Sequence, residues 1–428
     1  MLALSPLPRA SPTRVRYWVL VFAVTLAVIT YIDRVCISFA ARFIQADLHL
    51  SQVQLGYAFS AFAWTYAIFE IPGGFLGDWM GARRVLLRIV LWWSFFTAAT
   101  GWVWNFTSLA VTRALFGAGE AGCFPNLTKT FTTWLPHHER VRAQGIMWLS
   151  ARWGGAFTPP LVYLVIQVMP WRHAFELFGV IGVVWAVLFY WWYRDHPRDN
   201  PHLNETERQL LAPNEALSAG HARVPWRIFV SSPQVWLLCG QYFCSSYGWY
   251  FYITWLPTYL KEERGLDLGE SAILGILPLF LGGLGSAVSG FISTPLTRLT
   301  GSVFRTRRLL GYIGFSGASI LLVVSTRMHT PLAAMIAMGL ASFSNDLVMP
   351  GSWGACMDVG GKFAGTLSGA MNMMGNIGGA VSPTVIGYML KWTNNNWNLT
   401  FYVSAAIYLM AVVMWRFLDP ITPLETGE

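Results

Sequence analysis

Charged residues are scarce in this sequence, at 12% of 428 residues, whereas soluble globular domains carry about 25%. Hydrophobic residues make up 54% of the chain, and the mean hydropathy is +0.45. This composition excludes a soluble fold with a charged surface and predicts a polytopic membrane protein. A spanning helix needs roughly 20 apolar residues, so the apolar runs predict twelve transmembrane helices. The predicted spans are residues 17–40, 53–77, 85–103, 106–130, 143–168, 173–193, 234–260, 271–294, 309–326, 331–357, 364–390 and 398–418.

Patterns of catalytic or metal-binding residues are also missing. The five cysteines lie in or beside apolar segments, with no disulfide framework and no metal-ligand spacing. None of the eight histidines lies in the middle of a predicted span, and no nucleophile pattern appears. We therefore expect neither an enzyme nor a bound metal or cofactor.

The net charge of +8 is explained by where the basic residues lie relative to the spans. If the N-terminus is cytoplasmic, 20 of the 29 lysines and arginines fall at cytoplasmic ends or in cytoplasmic loops, and six fall outside. This asymmetry follows the positive-inside rule and predicts that both termini are cytoplasmic. We expect a multi-pass protein of the cell inner (plasma) membrane, surrounded by the lipid bilayer and without a nucleic-acid partner.

The spans fall into two sets of six, separated by a polar stretch. Residues 154–159 (GGAFTP), in the fifth span, recur as residues 378–383 (GGAVSP) in the eleventh, 224 positions further on. Two halves with a shared pattern are typical of transporters, whose substrate site lies at the midplane between the halves. We predict a cytoplasmic N-terminal tail (1–16), a six-helix bundle (17–193), a cytoplasmic linker (194–233), a second six-helix bundle (234–418) and a cytoplasmic C-terminal tail (419–428).

Two pairs of charged residues lie well inside the first and fourth spans. Asp33 and Arg34 are adjacent, and a charge at membrane depth costs at least about 2.5 kcal/mol, which favours a position facing a partner or a water-filled cavity. The alternative is that both lie at a helix end and extend to the headgroups. Arg113 and Glu120 are seven residues apart, which places both on one helix face about two turns apart. They either face a solute or form a buried ion network between helices, and the two arrangements are compatible.

Residues 74–84 (GFLGDWMGARR) are similar to the signature loop of the major facilitator superfamily. Asp78 can form a charge-paired latch with Arg83 and Arg84, and we expect these residues to act in gating. Trp79 stands where the family pattern normally has Arg or Lys, and Thr294 stands at the matching position of the second half, where many relatives have Asp. Both departures predict a latch weaker than the family norm.

The charged constellation resembles one family within that superfamily, the anion:cation symporters, which include bacterial galactonate, glucarate and hexuronate transporters. The residues that carry this resemblance are Tyr31, Asp33, Arg34, Ser38, Arg113, Glu120, Phe124 and Pro125. The resemblance implies an all-α fold of twelve transmembrane helices in two six-helix bundles. It also implies proton-coupled symport of a small organic anion, with a hexonate, hexuronate or hexarate sugar acid favoured.

The resemblance implies roles for single residues as well. Arg34 matches the family's carboxylate-binding arginine, and a guanidinium can hold a carboxylate by two parallel hydrogen bonds. Asp33 and Glu120 match the acids that take up protons, and Glu70 is a further proton-coupling candidate. We assign Arg113 as the partner of Glu120 and as a secondary anion ligand.

Further polar residues of the spans are expected to face the same cavity. Asn372 and Asn376 are four residues apart, and with Ser368 they form a polar stripe suited to sugar hydroxyls or to hydrogen bonds between helices. The complete set of candidate substrate-binding residues is Arg34, Tyr31, Tyr66, Arg113, Arg152, Tyr252, Ser368, Asn372 and Asn376.

Several alternatives stay open on the sequence alone. Arg152 either binds a second anionic group of the substrate or neutralises a neighbouring acid, Glu70 or Asp346. The substrate could be phosphate, an organophosphate or another carboxylate, and sodium could replace protons as the coupling ion. A non-transporting membrane sensor is a different class, against which we note that no sizeable soluble segment is appended to the spans. We expect a monomer.

Overall fold

The structure is a computed structural model that describes residues 11–218, 224 and 226–424. Within these ranges the chain forms helices and turns, without a β-strand. The first half contains α1 (Tyr17–Leu48), α2 (Gln52–Met80), α3 (Ala82–Thr100), α4 (Phe106–Glu120), α5 (Cys123–Trp134), α6 (His137–Val168) and α7 (Trp171–Trp192). The connecting segment holds α8 (Glu205–Ser218) and α9 (Trp226–Ser231). The second half contains α10 (Pro233–Thr254), α11 (Leu256–Glu262), α12 (Leu268–Leu274), α13 (Ile276–Thr300), α14 (Val303–Ser325), α15 (Pro331–Gly360), α16 (Ala364–Trp392) and α17 (Trp397–Phe417).

Each predicted span corresponds to one helix or to two consecutive helices, so the prediction of an all-α protein with twelve spans in two halves is confirmed. The fourth span is divided into α4 and α5, the seventh into α10 and α11, and the eighth into α12 and α13. The predicted tails and linker lie partly outside the described residues, since 1–10, 219–223, 225 and 425–428 are not among them.

By length and composition, six helical segments of the described residues are apolar enough to cross a membrane. They are Tyr17–Ser38, Trp171–Trp192, Ile276–Thr300, Val303–Ser325, Pro331–Trp392 and Trp397–Phe417, of which Pro331–Trp392 contains both α15 and α16. Several remaining spans are less apolar because they carry charged side chains into the interior: α2 holds Glu70, α4 holds Arg113 and Glu120, and α6 holds Arg152.

The fourth span is broken by a close contact between its backbone and that of α2. Gly122 has a φ of +84°, in the left-handed region that favours glycine, and a Cβ atom there would lie 2.6 Å from Cα of Gly73. Asn126 Nδ2 donates to the carbonyl oxygens of Gly122 (2.7 Å) and Gly73 (2.9 Å), so these carbonyls remain paired. The break places Glu120 at the last residue of α4, in the middle of the span.

The first and last described residues and the described part of the connecting segment lie at one end of the molecule, which we call the terminal end. Thr13 Oγ1 donates to Glu207 Oε2 of α8 (2.5 Å). The backbone N–H of Leu424 donates to the carbonyl oxygen of Val359, near the end of α15 (2.9 Å). The segment before α1 is thereby held to the start of α8, and the segment after α17 is held to the end of α15.

The two halves are in contact from the terminal end inward. α6 packs against α13 so closely that a Cβ atom on Gly145 would lie 2.6 Å from the carbonyl oxygen of Ser286. Further along the same two helices, the rings of Trp153 and Phe280 are stacked, with 5.2 Å between centroids. Small residues at this interface allow the helices to approach, as is typical of packing within a bilayer.

Candidate binding cavity

A cavity of about 580 Å³ lies between the two halves. Its lining extends away from the terminal end to Ser38, Ile253 and Pro257, which are exposed. The cavity therefore opens towards the end of the molecule opposite the termini. Its volume is in the usual range for small-molecule sites, about 300–1,000 Å³.

Among the described residues that line the cavity, Arg34 and Arg152 are the only charged ones. Both belong to the first half, while the second half contributes hydroxyl, amide and aromatic groups. The polar and aromatic lining residues are Tyr31, Ser38, Phe62, Tyr66, Phe124, Trp148, Tyr242, Ser245, Ser246, Trp249, Tyr250, Tyr252, Asn372 and Asn376. The cavity wall thus presents positive charge and neutral hydrogen-bonding groups to a solute.

The helical period of α1 separates the two adjacent charges of the first span. Tyr31, Arg34, Val35 and Ser38 line the cavity, and their spacing of three and four residues places them on one face of the helix. Asp33 lies off this face and is only 2% exposed. Arg34 can therefore contact a solute in the cavity, whereas Asp33 is enclosed by protein.

Arg34 connects the cavity to α4. Its Nε donates to Glu120 Oε1 (2.6 Å), and its Cζ lies 4.3 Å from the ring centroid of Tyr66. Nη2 has no hydrogen-bond partner among the described residues. The carboxylate and the aromatic ring hold the guanidinium in position, and 18% of the side chain stays exposed at the cavity, where an incoming anion can contact it.

The sequence predicts Arg113 as the partner of Glu120, but the direct ion pair of Glu120 is with Arg34, and Arg113 interacts with Glu120 only electrostatically at longer range. Arg113 is 2% exposed, and its Cζ lies 4.4 Å from the ring centroid of Phe116 and 5.0 Å from that of Phe62. It does not belong to the described lining of the cavity, so it is not an anion ligand in this conformation. Side chains on one helix lean towards its N-terminus, and here Arg113 packs on aromatic rings instead of reaching forward to Glu120.

Asp33 and Glu120 are enclosed carboxylates, with exposures of 2% and 0%. No well-formed hydrogen bond reaches either oxygen of Asp33, or Oε2 of Glu120, in the described part of the chain. The Trp93 indole N–H and the Thr97 hydroxyl face Asp33 as weak donors, and Asp33 interacts electrostatically with Glu120 and with Arg113. An ionised carboxylate with so few donors is costly to bury, so these two groups are suited to carrying protons.

Glu70 lies at the contact between α2 and α16, at the floor of the cavity. Asn372 Nδ2 donates to Glu70 Oε1 (2.7 Å) and to the hydroxyl oxygen of Tyr66 (3.2 Å). Glu70 is 0% exposed and also interacts with the Tyr66 hydroxyl and the backbone N–H of Gly122, both of the first half. Asn372 therefore adds a donor from the opposite half to this carboxylate, which does not line the cavity.

The structure decides between the alternatives for the acid next to Arg152, which is Asp346 and not Glu70. Arg152 Nε donates to Asp346 Oδ2 (2.7 Å), and Nη2 donates to Oδ1 (3.2 Å). The pair joins α6 to α15 and hence one half to the other. Arg152 also lies over Trp249, with 3.9 Å between Cζ and the ring centroid.

The remaining predicted ligands divide into two groups. Asn376 lines the cavity, and its Oδ1 accepts from the Tyr250 hydroxyl (3.3 Å). Tyr252 lines it with its ring, while its hydroxyl donates to the carbonyl oxygen of Met338 (3.2 Å). Ser368 is contradicted as a ligand, because it is 0% exposed and its hydroxyl donates to the carbonyl of Ala364 in its own helix (2.6 Å).

Asp78 forms a latch between the halves, but its partners are not the predicted arginines. The backbone N–H of Thr366, at the start of α16, donates to Asp78 Oδ2 (2.6 Å), and Lys129 Nζ lies 3.2 Å from Oδ1. A helix N-terminus favours a carboxylate through its free N–H groups and its dipole. Arg83 instead donates to the carbonyl oxygen of Tyr190 within the first half (2.6 Å).

Sequence reasoning missed most of the aromatic wall. Trp148, Trp249, Tyr242 and Tyr250 all line the cavity, but only Tyr252 was selected from the seventh span. The signal was present in part, since residues 242, 245, 246, 249, 250 and 253 follow helical spacing, and all of them except Ile253 carry aromatic or hydroxyl side chains. In an apolar span this pattern does not distinguish a cavity wall from ordinary helix packing.

Comparison with known proteins agrees with the fold and with the overall length. Residues 23–383 match the family described as the Major Facilitator Superfamily. A probable sulfoacetate transporter of Cupriavidus necator is 34% identical over 97% of this chain and 96% of its own length. A hexuronate transporter of Bacillus subtilis is 30% identical over 96% of this chain and 96% of its own length. The solved structure of a proton:xylose symporter superposes with a TM-score of 0.76 at 13% identity, over 95% of this chain and 97% of the other.

Proposed function

The chain belongs to the major facilitator superfamily and is a multi-pass membrane transporter, and we propose that it carries a small organic anion together with protons by alternating access. The favoured substrate class is a sugar acid or a carboxylate of similar size. Phosphate and organophosphates are the second candidate.

The observation that carries this proposal is the layout of charge around the cavity. Arg34 and Arg152 line it, while Asp33, Glu70, Glu120 and Asp346 lie behind the lining. A negatively charged solute therefore meets guanidinium groups first, and a cation meets no ionised acceptor on the wall. Planar guanidinium groups bind carboxylates and other oxyanions with directed hydrogen bonds.

Coupling to protons follows from the shared use of Arg34. A carboxylate that binds the free edge of Arg34 competes with Glu120 for the same positive charge. Glu120 has no other donor in the described residues, and an unpaired buried carboxylate is unfavourable. Glu120 then takes up a proton from water in the open cavity. Asp33, enclosed behind Arg34, is a second position for a proton, and Glu70 is a third.

The second half supports a hydroxylated substrate over bare phosphate. Ser245, Ser246, Tyr250 and Asn376 provide hydroxyl and amide groups at the cavity wall, opposite the arginines. A cavity of about 580 Å³ is larger than phosphate alone requires and accommodates a six-carbon acid. The names of the two relatives, which refer to sulfoacetate and to hexuronate, support an organic anion.

We further propose that the terminal end faces the cytoplasm, as the positive-inside rule predicts, and that the protein lies in a bacterial inner membrane. In that orientation the structure represents the state open to the outside. Asp78, Lys129 and the start of α16 then form part of the closed cytoplasmic gate.

The test is uptake into proteoliposomes that contain the purified protein. An inward proton gradient is expected to drive accumulation of a labelled sugar acid, and Arg34→Ala is expected to abolish both binding and uptake. Arg416→Ala, which removes an exposed arginine of α17, is the matched control and should behave as the wild type. Binding at wild-type affinity in Arg34→Ala would contradict the assignment of Arg34.

A further inference from the structure

We propose that the transported anion carries two negative groups and that its second group takes Arg152 from Asp346, which releases an ion pair that holds the two halves together. This inference rests on the function proposed above and assigns a second anionic subsite in the same cavity. Arg152 is then a residue that determines specificity for dianions.

Arg152 is enclosed on three sides and borders the cavity on the fourth, where 4% of its side chain is exposed. Asp346 accepts from Nε and Nη2, and the ring of Trp249 covers one face of the guanidinium. The remaining nitrogen, Nη1, has the Tyr31 hydroxyl at 3.5 Å, at the limit of a hydrogen bond. Because Arg152 lines the cavity, Nη1 is the donor that a solute can reach first.

Tyr31 lies between the two arginines of the lining. Arg34 Cζ is 5.8 Å from the centroid of the Tyr31 ring, and Arg152 Nη1 is 3.5 Å from its hydroxyl oxygen. Both guanidinium groups therefore neighbour the same side chain. A small molecule with an anionic group at each end can contact both, while a molecule with one such group can contact only one at a time.

Asp346 is placed so that it can lose Arg152 without losing every donor. Asn345 Nδ2 donates to Asp346 Oδ1 (2.9 Å), and Asn345 Oδ1 accepts from Ser245 of the cavity wall (2.9 Å). Asp346 is 0% exposed and belongs to α15 of the second half. Removing Arg152 from it therefore breaks a link between the halves while the carboxylate remains bonded within its own half.

The requirement for a second negative group follows from the cost of a buried unpaired charge. If Arg152 leaves Asp346 without a new anion, a buried cation is left unpaired, which is strongly unfavourable. A bound dianion removes this cost, since Arg34 holds one end and the other end replaces Asp346. A monoanion held by Arg34 leaves the pair between Arg152 and Asp346 intact and the halves joined. The relatives do not decide this point, because sulfoacetate is a dianion and a hexuronate is a monoanion.

The experiment compares matched anions that differ in one charge, on the purified full-length protein. Galactarate and galactonate share a carbon chain, with a second carboxylate in galactarate in place of a terminal hydroxymethyl group. Sulfoacetate and glycolate form a second, smaller pair. We expect the wild type to bind at least one dianion about tenfold or more tightly than its monoanion partner, the effect of a charged hydrogen bond. Neither dianion binding more tightly than its partner would overturn the proposal.

Two single substitutions are expected to act in opposite directions. Arg152→Gln should weaken binding of the preferred dianion roughly 10- to 100-fold and leave the monoanion within about threefold. Asp346→Asn should strengthen binding of the dianion, because Arg152 is released to the cavity. If the ion pair only holds the halves together, both substitutions should impair both anions by the same factor, and that result contradicts the subsite.

A double substitution keeps the test valid if a single variant fails to fold, because it leaves no unpaired buried charge. Arg152→Gln with Asp346→Asn removes both charges at once, and thermal unfolding identifies variants that fold. We expect the folded double variant to bind the two members of each pair with equal affinity. A retained preference for the dianion would overturn the proposal. If the wild type binds dianion and monoanion equally and proton-driven uptake is intact, only this inference is rejected. If Arg34→Ala still binds the anion as the wild type does, the proposed function is rejected.

Discussion

At the scale of single residues, the two faces of α1 separate an arginine that lines the cavity from a carboxylate that is enclosed by protein. Arg34 lies on the face that lines the cavity, and Asp33 lies off that face, enclosed by protein. The sequence identified both residues because charges at membrane depth are costly and seldom incidental. It could not assign the partner of Glu120, since Arg113 on the same helix and Arg34 on another were both available. Only the three-dimensional structure, which brings Arg34 Nε of α1 within 2.6 Å of Glu120 Oε1 at the end of α4, decides that Arg34 is the partner.

The role of Glu120 as the coupling acid is tested by Glu120→Gln. The amide keeps the size of the side chain but cannot release a proton, so binding and exchange of the anion should stay within a few-fold of the wild type. Accumulation driven by an inward proton gradient should fall to the level of equilibration. Counterflow and gradient-driven uptake, measured on the same proteoliposomes, separate the two effects. Accumulation that survives in Glu120→Gln would move the coupling site to Asp33 or Glu70.

At the scale of helices, apolar runs located the spans but not the breaks within them. α1 and α2 end eight and three residues after their predicted spans, and α6 begins six residues before its span, because these helices continue past the apolar core. The division between α4 and α5 depends on Gly122 meeting Gly73 of another helix. No local pattern reports such a contact. The same reason explains why Asp78 was predicted as a latch while its true partners, on α5 and α16, were not.

The close packing of α6 on α13 gives a prediction about conformation. In Gly145→Ala, the added Cβ atom would lie 2.6 Å from the carbonyl oxygen of Ser286, so contact at the terminal end becomes less favourable. We expect the population to shift towards a state open at that end. Spin labels on His138→Cys and Arg298→Cys would report a longer distance by pulsed electron resonance.

The control for this prediction is Gly56→Ala in α2, where a Cβ atom would meet nothing within 4 Å. That variant should leave the distance distribution unchanged. The five native cysteines are all buried, which favours labelling of the two introduced ones. An unchanged distribution in Gly145→Ala would show that the terminal end tolerates looser packing and that this contact does not govern closure.

At the scale of the whole molecule, the sequence predicted the two halves but not how they lie relative to each other. The repeat and the polar connecting segment divide the chain whether the cavity opens at one end or the other. Which end of the cavity is open is decided by contacts between the halves, such as Asp78 with Thr366, Glu70 with Asn372 and Arg152 with Asp346. Each of these joins residues about 190 to 300 positions apart in the chain. The structure thus combines a closed terminal end with a positively charged cavity open at the opposite end.

The central claim is that a bound anion competes with Glu120 for Arg34, and that Glu120 takes up a proton when it loses this partner. Anion and proton are therefore loaded together. The most direct test is the change of pH in a weakly buffered solution of the purified protein when a sugar acid is added. We predict that the wild type takes up protons from the medium in proportion to the anion bound, that Glu120→Gln takes up fewer, and that Arg34→Ala takes up none. Saturable binding of the anion by the wild type without any proton uptake would contradict the account.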